Sequence, residues 1–454
     1  MATESKRGNF GSKMGIILAT AGSAVGLGNI WRFPYMTGMN GGAAFILLYF
    51  ACVLMLGIPG MVAEFVVGRS SASNAASAYE KLAGRTPWRI IGYLGVVTSM
   101  IILGFYAVVA GWCLQYFLVS VMGQLGKTPE IVVADFQVFS SNPIKPVFWA
   151  VLFIVATHWV VARGVQNGIE KASKMLMPTL FVLLLNLIVA SCLLPGAWKG
   201  VVFLFKPDFS KLTHSVFLEA LGQAFFSLSL GTACLCTYAS YFNRQTRLVG
   251  SAVQIVLIDS LVAILAGLMI FPAAFSVGVS PDAGPSLIFI TLPNVFNEAF
   301  ASVPLLGNVI SVLFYALLAL AALTSTISMH EIGTAFFHEE FNLSRNKGAW
   351  VVTVACSLLA VLCSLSQGAL SEWKVLGKNI LDFCDALTAQ MLLPLGSLLT
   401  CLFVGWYVPR KVVHDQVTNW GQIGEWSYRI FLFFVRFVCP VCIFAVFLHQ
   451  VGVI

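Results

Sequence analysis

Apolar residues in this chain come in long runs, each broken by a short polar segment. Eleven runs are long enough to cross a bilayer, near 14–36, 41–69, 88–121, 145–162, 170–194, 213–241, 247–277, 303–337, 347–370, 380–407 and 428–450. A spanning helix needs ~20 mostly apolar residues, so the pattern predicts an all-α polytopic membrane protein. Runs longer than that are accommodated by tilt or by extension beyond the bilayer. The stretches near 122–144, 195–212 and 278–302 carry no strong fold signal, and no soluble domain is expected.

Composition agrees with the pattern. Of 454 residues, 59% are hydrophobic and 10% charged, against roughly 25% charged in an average soluble domain. That excludes a large soluble core. The net charge of +7 would suggest nucleic acid in a soluble protein. Here the basic residues sit in short loops, and most fall on the side holding the N-terminus, which predicts a cytoplasmic N-terminus and an outside C-terminus in a cell (inner) membrane. The polar tail Met1 to Lys13 shows no separate signal peptide before the first span. Most of the eleven cysteines lie in apolar stretches, where Cys behaves as a small hydrophobe. Cys439-Pro-Val-Cys442 has a CxxC form but lies in the last span, without a thioredoxin-like context.

Irregular backbone survives at membrane depth only where it lines a cavity. The first span contains Ala21-Gly22-Ser23-Ala24-Val25-Gly26-Leu27-Gly28-Asn29, and its glycines weaken the helix. Unwinding here frees carbonyls for a cation and exposes a half-helix N-terminus to a carboxylate; the alternative is small-residue helix packing. The sixth span repeats the theme in Phe225-Phe226-Ser227-Leu228-Ser229-Leu230-Gly231-Thr232. Two interrupted helices five spans apart are the mark of an inverted repeat. The predicted organisation is a tail at 1–13, a first repeat at 14–194, a loop at 195–212, a second repeat at 213–407, and a loop with one additional helix at 408–454. In the eighth span, Thr324-Ser325-Thr326 offers hydroxyls to a hard cation, or back-bonds to the preceding turn. Arg32, Glu64, Asp259 and Glu331 are ionisable residues within spans, which are costly and usually functional. Asp259 needs a cation or a proton, and Glu64 is placed to brace the unwound first helix; for each, a structural ion pair is the alternative.

The run LATAGSAVGLGNIWRFP (Leu18 to Pro34) resembles the first-helix signature of the neurotransmitter:sodium symporter family. GQAFFSLSLGTACLCTYASY (Gly222 to Tyr241) is similar to its sixth helix, and LTSTIS (Leu323 to Ser328) to its eighth. The resemblance covers essentially the whole chain and suggests a bacterial amino-acid-type member with a leucine-transporter-like fold. It implies two sodium sites and no organic cofactor. One sodium site would use the Ala24 carbonyl, Asn29, Ser227 and Asp259, the last standing where leucine-carrying members have Asn. The other would use the carbonyls of Gly22, Val25 and Ala321 with the hydroxyls of Thr324 and Ser325. Because Asp259 supplies a negative charge, chloride independence is expected.

The resemblance also implies a substrate site. Its carboxylate would meet the Leu27 and Gly28 N–H groups and the Tyr106 hydroxyl. Gly26, where amine carriers have Asp, leaves room for that carboxylate. The ammonium would meet carbonyls near Ala24, Phe226 and Ser229, close to Ser227. The side chain would lie among Ser23, Ile102, Phe226, Ser229, Thr232, Ser325 and Met329. No charge lines this set, and Thr232 replaces a Phe of the leucine-type pocket, which favours a large neutral or aromatic L-amino acid. An outer gate is expected between Arg32 and Asp382, with Asp385 as the alternative, above Tyr106 and Phe226. An inner gate is expected between Arg7 and Glu339, supported by Tyr241, with Phe10 where relatives often have Trp. Gly168 and Pro178 flank nine residues of the fifth helix, a spacing that permits local unwinding.

The function expected is a sodium-coupled symporter with a neutral amino acid, sodium and the bilayer as partners, and no nucleic acid. A proton-coupled carrier or a non-transporting sensor of the same fold is the alternative. An ion channel would spread its polar residues along a path rather than at one depth. No GxxxxGK[ST], HExxH or GxSxG pattern or paired-carboxylate site points to ATP use or an enzyme. The adjacent His330 and Glu331 point in different directions on a helix and do not suggest a metal.

Overall fold

A computed structural model describes residues 8–126, 128–278, 287–301 and 303–450. Within these the chain is helical, with one isolated bridge between Val375 and Lys378. Nine helices are long and apolar enough to cross a membrane: α3 (Ala43–Ser71), α4 (Pro87–Val121), α5 (Lys145–Ala162), α6 (Val165–Cys192), α9 (Leu248–Ser276), α10 (Pro304–Glu340), α11 (Arg345–Leu365), α12 (Ile380–Tyr407) and α13 (Glu425–Gln450). A tenth is the bent pair α1 (Lys13–Ala24) and α2 (Gly28–Met39), which turns by 54° at its break. The expected eleventh corresponds to α7 (His214–Ser227) and α8 (Cys234–Ala239). The six residues between them leave neither piece long enough to qualify alone.

The connecting segments are more ordered than the sequence suggests. Short helices fill Ala75–Ala83, Pro129–Ser140, Trp198–Phe205, Leu292–Ala299 and Arg410–Val417. Each lies over the ends of the spans, where apolar side chains still find a surface. Trp198–Phe205 packs so closely on α9 that a Cβ on Gly200 would meet the Phe271 backbone at 2.5 Å.

Three helices form a bundle locked by polar contacts. The Thr353 hydroxyl of α11 donates to the Ala349 carbonyl at 2.9 Å and lies 2.8 Å from His158 of α5 and 2.9 Å from His330 of α10. A hydroxyl has one proton, so both imidazoles donate to it. The second His330 nitrogen then accepts from Thr334, 3.0 Å away. The imidazole of His330 thus faces Thr353 and Thr334, while Glu331 faces Arg345 and Tyr241.

Candidate functional site

The two breaks meet at the centre. At the first, Val25 is extended and closes α1 by its N–H to Ala21. The Gly26 N–H donates to Asn29 Oδ1 at 3.2 Å and the Leu27 N–H to the Tyr106 hydroxyl at 3.1 Å. A Cβ on Gly26 would stand 2.4 Å from Ser325 Oγ and 3.0 Å from the Tyr106 hydroxyl, so glycine is required by space. At the second break, Ser229, Gly231 and Ala233 all have left-handed φ, of 53°, 81° and 61°. The two non-glycine residues each cost about 1 kcal/mol there. Glu64 is the brace. Its carboxylate accepts from the Gly231 N–H at 2.7 Å and the Cys236 N–H at 3.4 Å. The expected partner of Glu64 was the first helix; the acid instead holds the sixth, where free N–H groups point toward it.

Asn29, Ser227 and Asp259 converge. The Asn29 Nδ2 sits within a cage of three oxygens: Ser227 Oγ at 3.2 Å, the Asp259 carbonyl at 3.1 Å and Asp259 Oδ1 at 2.7 Å. The other carboxylate oxygen accepts from Ser227 at 2.8 Å and from Tyr49 at 3.2 Å. Tyr49 is a member that sequence reasoning missed, because no local pattern ties α3 to α9. Gly22, Val25, Ala321, Thr324 and Ser325 form a second cluster. Thr324 Oγ1 lies 3.3 Å from the Val25 carbonyl and 2.9 Å from that of Ala321, and Ser325 Oγ lies 3.4 Å from the latter. Both sets offer oxygen alone, the donor type of hard cations. The first carries a carboxylate and the second is neutral.

Between the breaks lies a cavity of about 40 Å³. Ser23, Ala24, Gly28, Ile102, Tyr106, Phe226, Ser229, Thr232, Ser325 and Met329 line it, as do Gly26, Phe105 and Leu393. Phe105 and Leu393 were not foreseen. Leu27 borders the larger space above. The lining hydroxyls are already engaged: Ser23 donates to Thr20, Ser229 to Ser23 and Thr232 to Ser229. The wall therefore presents few free hydroxyl protons to a side chain.

Tyr106, Phe226, Phe105 and Gly28 also border a vestibule of about 590 Å³. The Arg32 guanidinium lies over the Phe226 ring, 4.1 Å from its centroid. Asp382 and Asp385 both line the vestibule, together with Arg32 and Glu219. Asn379, the N-cap of α12, accepts from the Asp382 N–H at 2.8 Å and donates its side-chain amide to the Asp382 carboxylate at 2.7 Å. Asp385, the alternative outer acid, lies one turn further into α12 and borders the same vestibule as Arg32.

On the opposite face is a cavity of about 460 Å³. Arg7 lies outside the described residues. Glu339 accepts from the Asn74 N–H at 2.8 Å. Tyr241 donates to Glu331 at 2.6 Å, and Arg345 pairs with the same acid, so Tyr241 serves an ion pair that the sequence reading did not foresee. Phe10 packs edge-on to Tyr238 and Tyr241, 5.9 and 6.2 Å between centroids. Gly168 and Pro178 do not flank an unwound segment here: Lys171–Cys192 is continuous through Pro178, after a wide turn at Val165–Glu170. Gly168 is required by the Val160 carbonyl, which a Cβ would meet at 2.1 Å.

Two broken helices, oxygen clusters at the breaks and a cavity toward either face define a cation-coupled secondary transporter. The sequence profile of the sodium:neurotransmitter symporter family matches residues 7–129 and 141–454, and the chain belongs to that family. It is 39% identical over 454 residues to the uncharacterized sodium-dependent transporter YhdH of Bacillus subtilis, spanning 100% of this chain and 99% of that one. A sodium-dependent transporter of Haemophilus influenzae is 33% identical over 467 residues, 99% of this chain and 100% of its own. Among solved structures, MhsT in complex with L-phenylalanine superposes with a TM-score of 0.88 at 43% identity, covering 98% of this chain and 100% of that one. The chain is thus a multi-pass sodium-dependent transporter and not an enzyme.

Proposed function

We propose that the chain imports a neutral, apolar or aromatic L-amino acid with sodium, by alternating access. The observation that carries this reading is the oxygen cage around Asn29 Nδ2. An amide N–H group there stands in for a cation's positive charge. A sodium ion that displaces it would meet Asp259, Ser227, the Ala24 carbonyl and the turned Asn29 oxygen. A second sodium would lie among Gly22, Val25, Ala321, Thr324 and Ser325. The substrate's carboxylate would meet the Leu27 and Gly28 N–H groups, Tyr106 and the first sodium. Its side chain would enter the largely apolar wall at Ile102, Thr232 and Met329, where hydroxyl protons are already engaged. MhsT, whose solved complex holds L-phenylalanine, supports an aromatic member of this class.

In this reading the Arg32 vestibule faces outside and the Glu331–Arg345 side faces the cytoplasm. The carboxylate of Asp259 makes chloride unnecessary. The test is equilibrium binding of labelled amino acids to the purified protein. L-phenylalanine or L-leucine should bind in sodium and not in potassium, and equally well when gluconate replaces chloride. Loss of binding in gluconate would sink chloride independence alone. No sodium-dependent binding across the panel would leave a proton-coupled carrier or a sensor.

A further inference from the structure

We propose that Glu170 is a latch: its carboxylate clamps the start of α1 and so keeps the first turns of α6 seated over the second cation cluster. The inference rests on the reading of that cluster as a sodium site.

Glu170 is 2% exposed, at the end of the wide turn that opens α6. It accepts from the Gly11 N–H at 2.6 Å, from the Ser12 hydroxyl at 2.7 Å and from Lys174 at 2.6 Å. Ser12 is itself the N-cap of α1, accepting from the Gly15 N–H at 3.0 Å. One carboxylate thus sits at the positive end of a helix and holds its cap in place, where negative charge is stabilising. The fit is close: a Cβ on Gly15 would meet Glu170 Oε1 at 2.2 Å, and one on Gly11 would meet Gln166 at 2.4 Å.

From this anchor α6 runs alongside α1. Two turns further on, Met177 reaches the cation cluster, where a Cβ on Gly22 would lie 3.4 Å from both the Met177 sulfur and Thr324 Cβ. Met177 therefore covers the neutral cluster, and residues 171–177 join it to the Glu170 anchor. The link from this stretch to the rest of its helix lacks one hydrogen bond. Pro178 has no N–H to give to the Lys174 carbonyl, and the turn before it is already wide. Glu170 is the only acid in Val165–Cys192, and its carboxylate ties this end of α6 to the start of α1. Breaking the contacts to Gly11 and Ser12 would let the cover lift without disturbing the ligands of either cluster. Glu170 is a positioning residue, since it touches no cation ligand.

The test uses the full chain in potassium and in sodium. Hydrogen exchange of the amides at 171–177 reports the cover, and the sodium concentration giving half-maximal thermal stabilisation reports the site. Glu170→Gln and Ser12→Ala should each speed exchange at 171–177 at least tenfold in potassium and raise the half-stabilising sodium concentration at least fivefold. Ser12→Thr, which keeps the hydroxyl, should match the wild type in both. Wild-type exchange in both variants overturns the latch. Faster exchange spread equally over α5 and α10, or faster exchange at 171–177 with unchanged sodium response, shows general loosening and overturns it too. If sodium fails to stabilise the wild type, the two-site reading falls, and exchange at 171–177 alone judges the latch.

Discussion

The two broken spans solve one problem differently. At the first break Asn29 caps Gly26 from three residues away, and other spans add single hydroxyls, Tyr106 to the Leu27 N–H, Thr324 to the Val25 carbonyl and Ser229 to the Ser23 carbonyl. At the sixth, six residues separate the half-helices, three of them left-handed, and an acid from another span holds the loop. A break made by glycine is cheap and local. A break made through Ser229 and Ala233 is strained and persists because its surroundings hold it.

The largest expected effect tests that difference. Glu64→Ala leaves two buried N–H groups without an acceptor, at roughly 1–3 kcal/mol each. It should lower stability by about 3 kcal/mol and abolish sodium-dependent amino-acid binding, while Glu64→Gln, which keeps one acceptor, loses less than half as much. A Glu64→Ala protein that melts like the wild type would show that the loop holds itself. Gly26→Ala addresses the first break. The new methyl would crowd Ser325 and Tyr106, so binding should weaken tenfold or more, about 1.4 kcal/mol, with a smaller change in melting than Glu64→Ala. Ala233→Gly should nearly cancel. It relieves about 1 kcal/mol of left-handed strain and removes a methyl worth ~0.8 kcal/mol that packs toward Gly95. A melting shift beyond about 0.5 kcal/mol either way would mean one of those terms is misjudged.

The smallest effect is a control far from both breaks. His414 lies 2.6 Å from Glu425, and that contact first, with Asp415 adding to it, raises its pKa above 6.5. A raised value in the folded state means that the stabilisation is complete below 6.5 and is lost as pH rises through the raised value. His414→Gln should therefore cost well under about 1 kcal/mol in acid, for an exposed pair, and nothing in alkali. Melting curves at several pH values would check it, and a cost that grows toward alkali would contradict the sign.

What was legible in the sequence follows the same division. Local signals were readable: the glycines of the first break, the hydroxyls of the sixth, and the run Thr324-Ser325 all lie where the clusters form. Contacts between distant spans were not. Tyr49 with Asp259, Leu393 against the central cavity, and Arg345 with Glu331 join helices whose register no single-span pattern fixes. Glu64 was picked out by its charge, but its partner was set by packing. Asp382 and Asp385 are three residues apart and share a helix face, so periodicity could not separate them. Asn379, three residues before Asp382, is the N-cap of α12 and ties Asp382 to the helix start.

One more consequence lies in the length of α10. Its 37 residues form a rod about 55 Å long at 1.5 Å per residue. It carries Thr324 and Ser325 midway and Glu339 about 21 Å further on. A tilt of roughly 5° pivoting at the hydroxyls would swing that acid by about 2 Å, enough to part a hydrogen bond. A rod this long would turn a small rotation at Thr324 and Ser325 into a displacement large enough to break a contact at the far mouth.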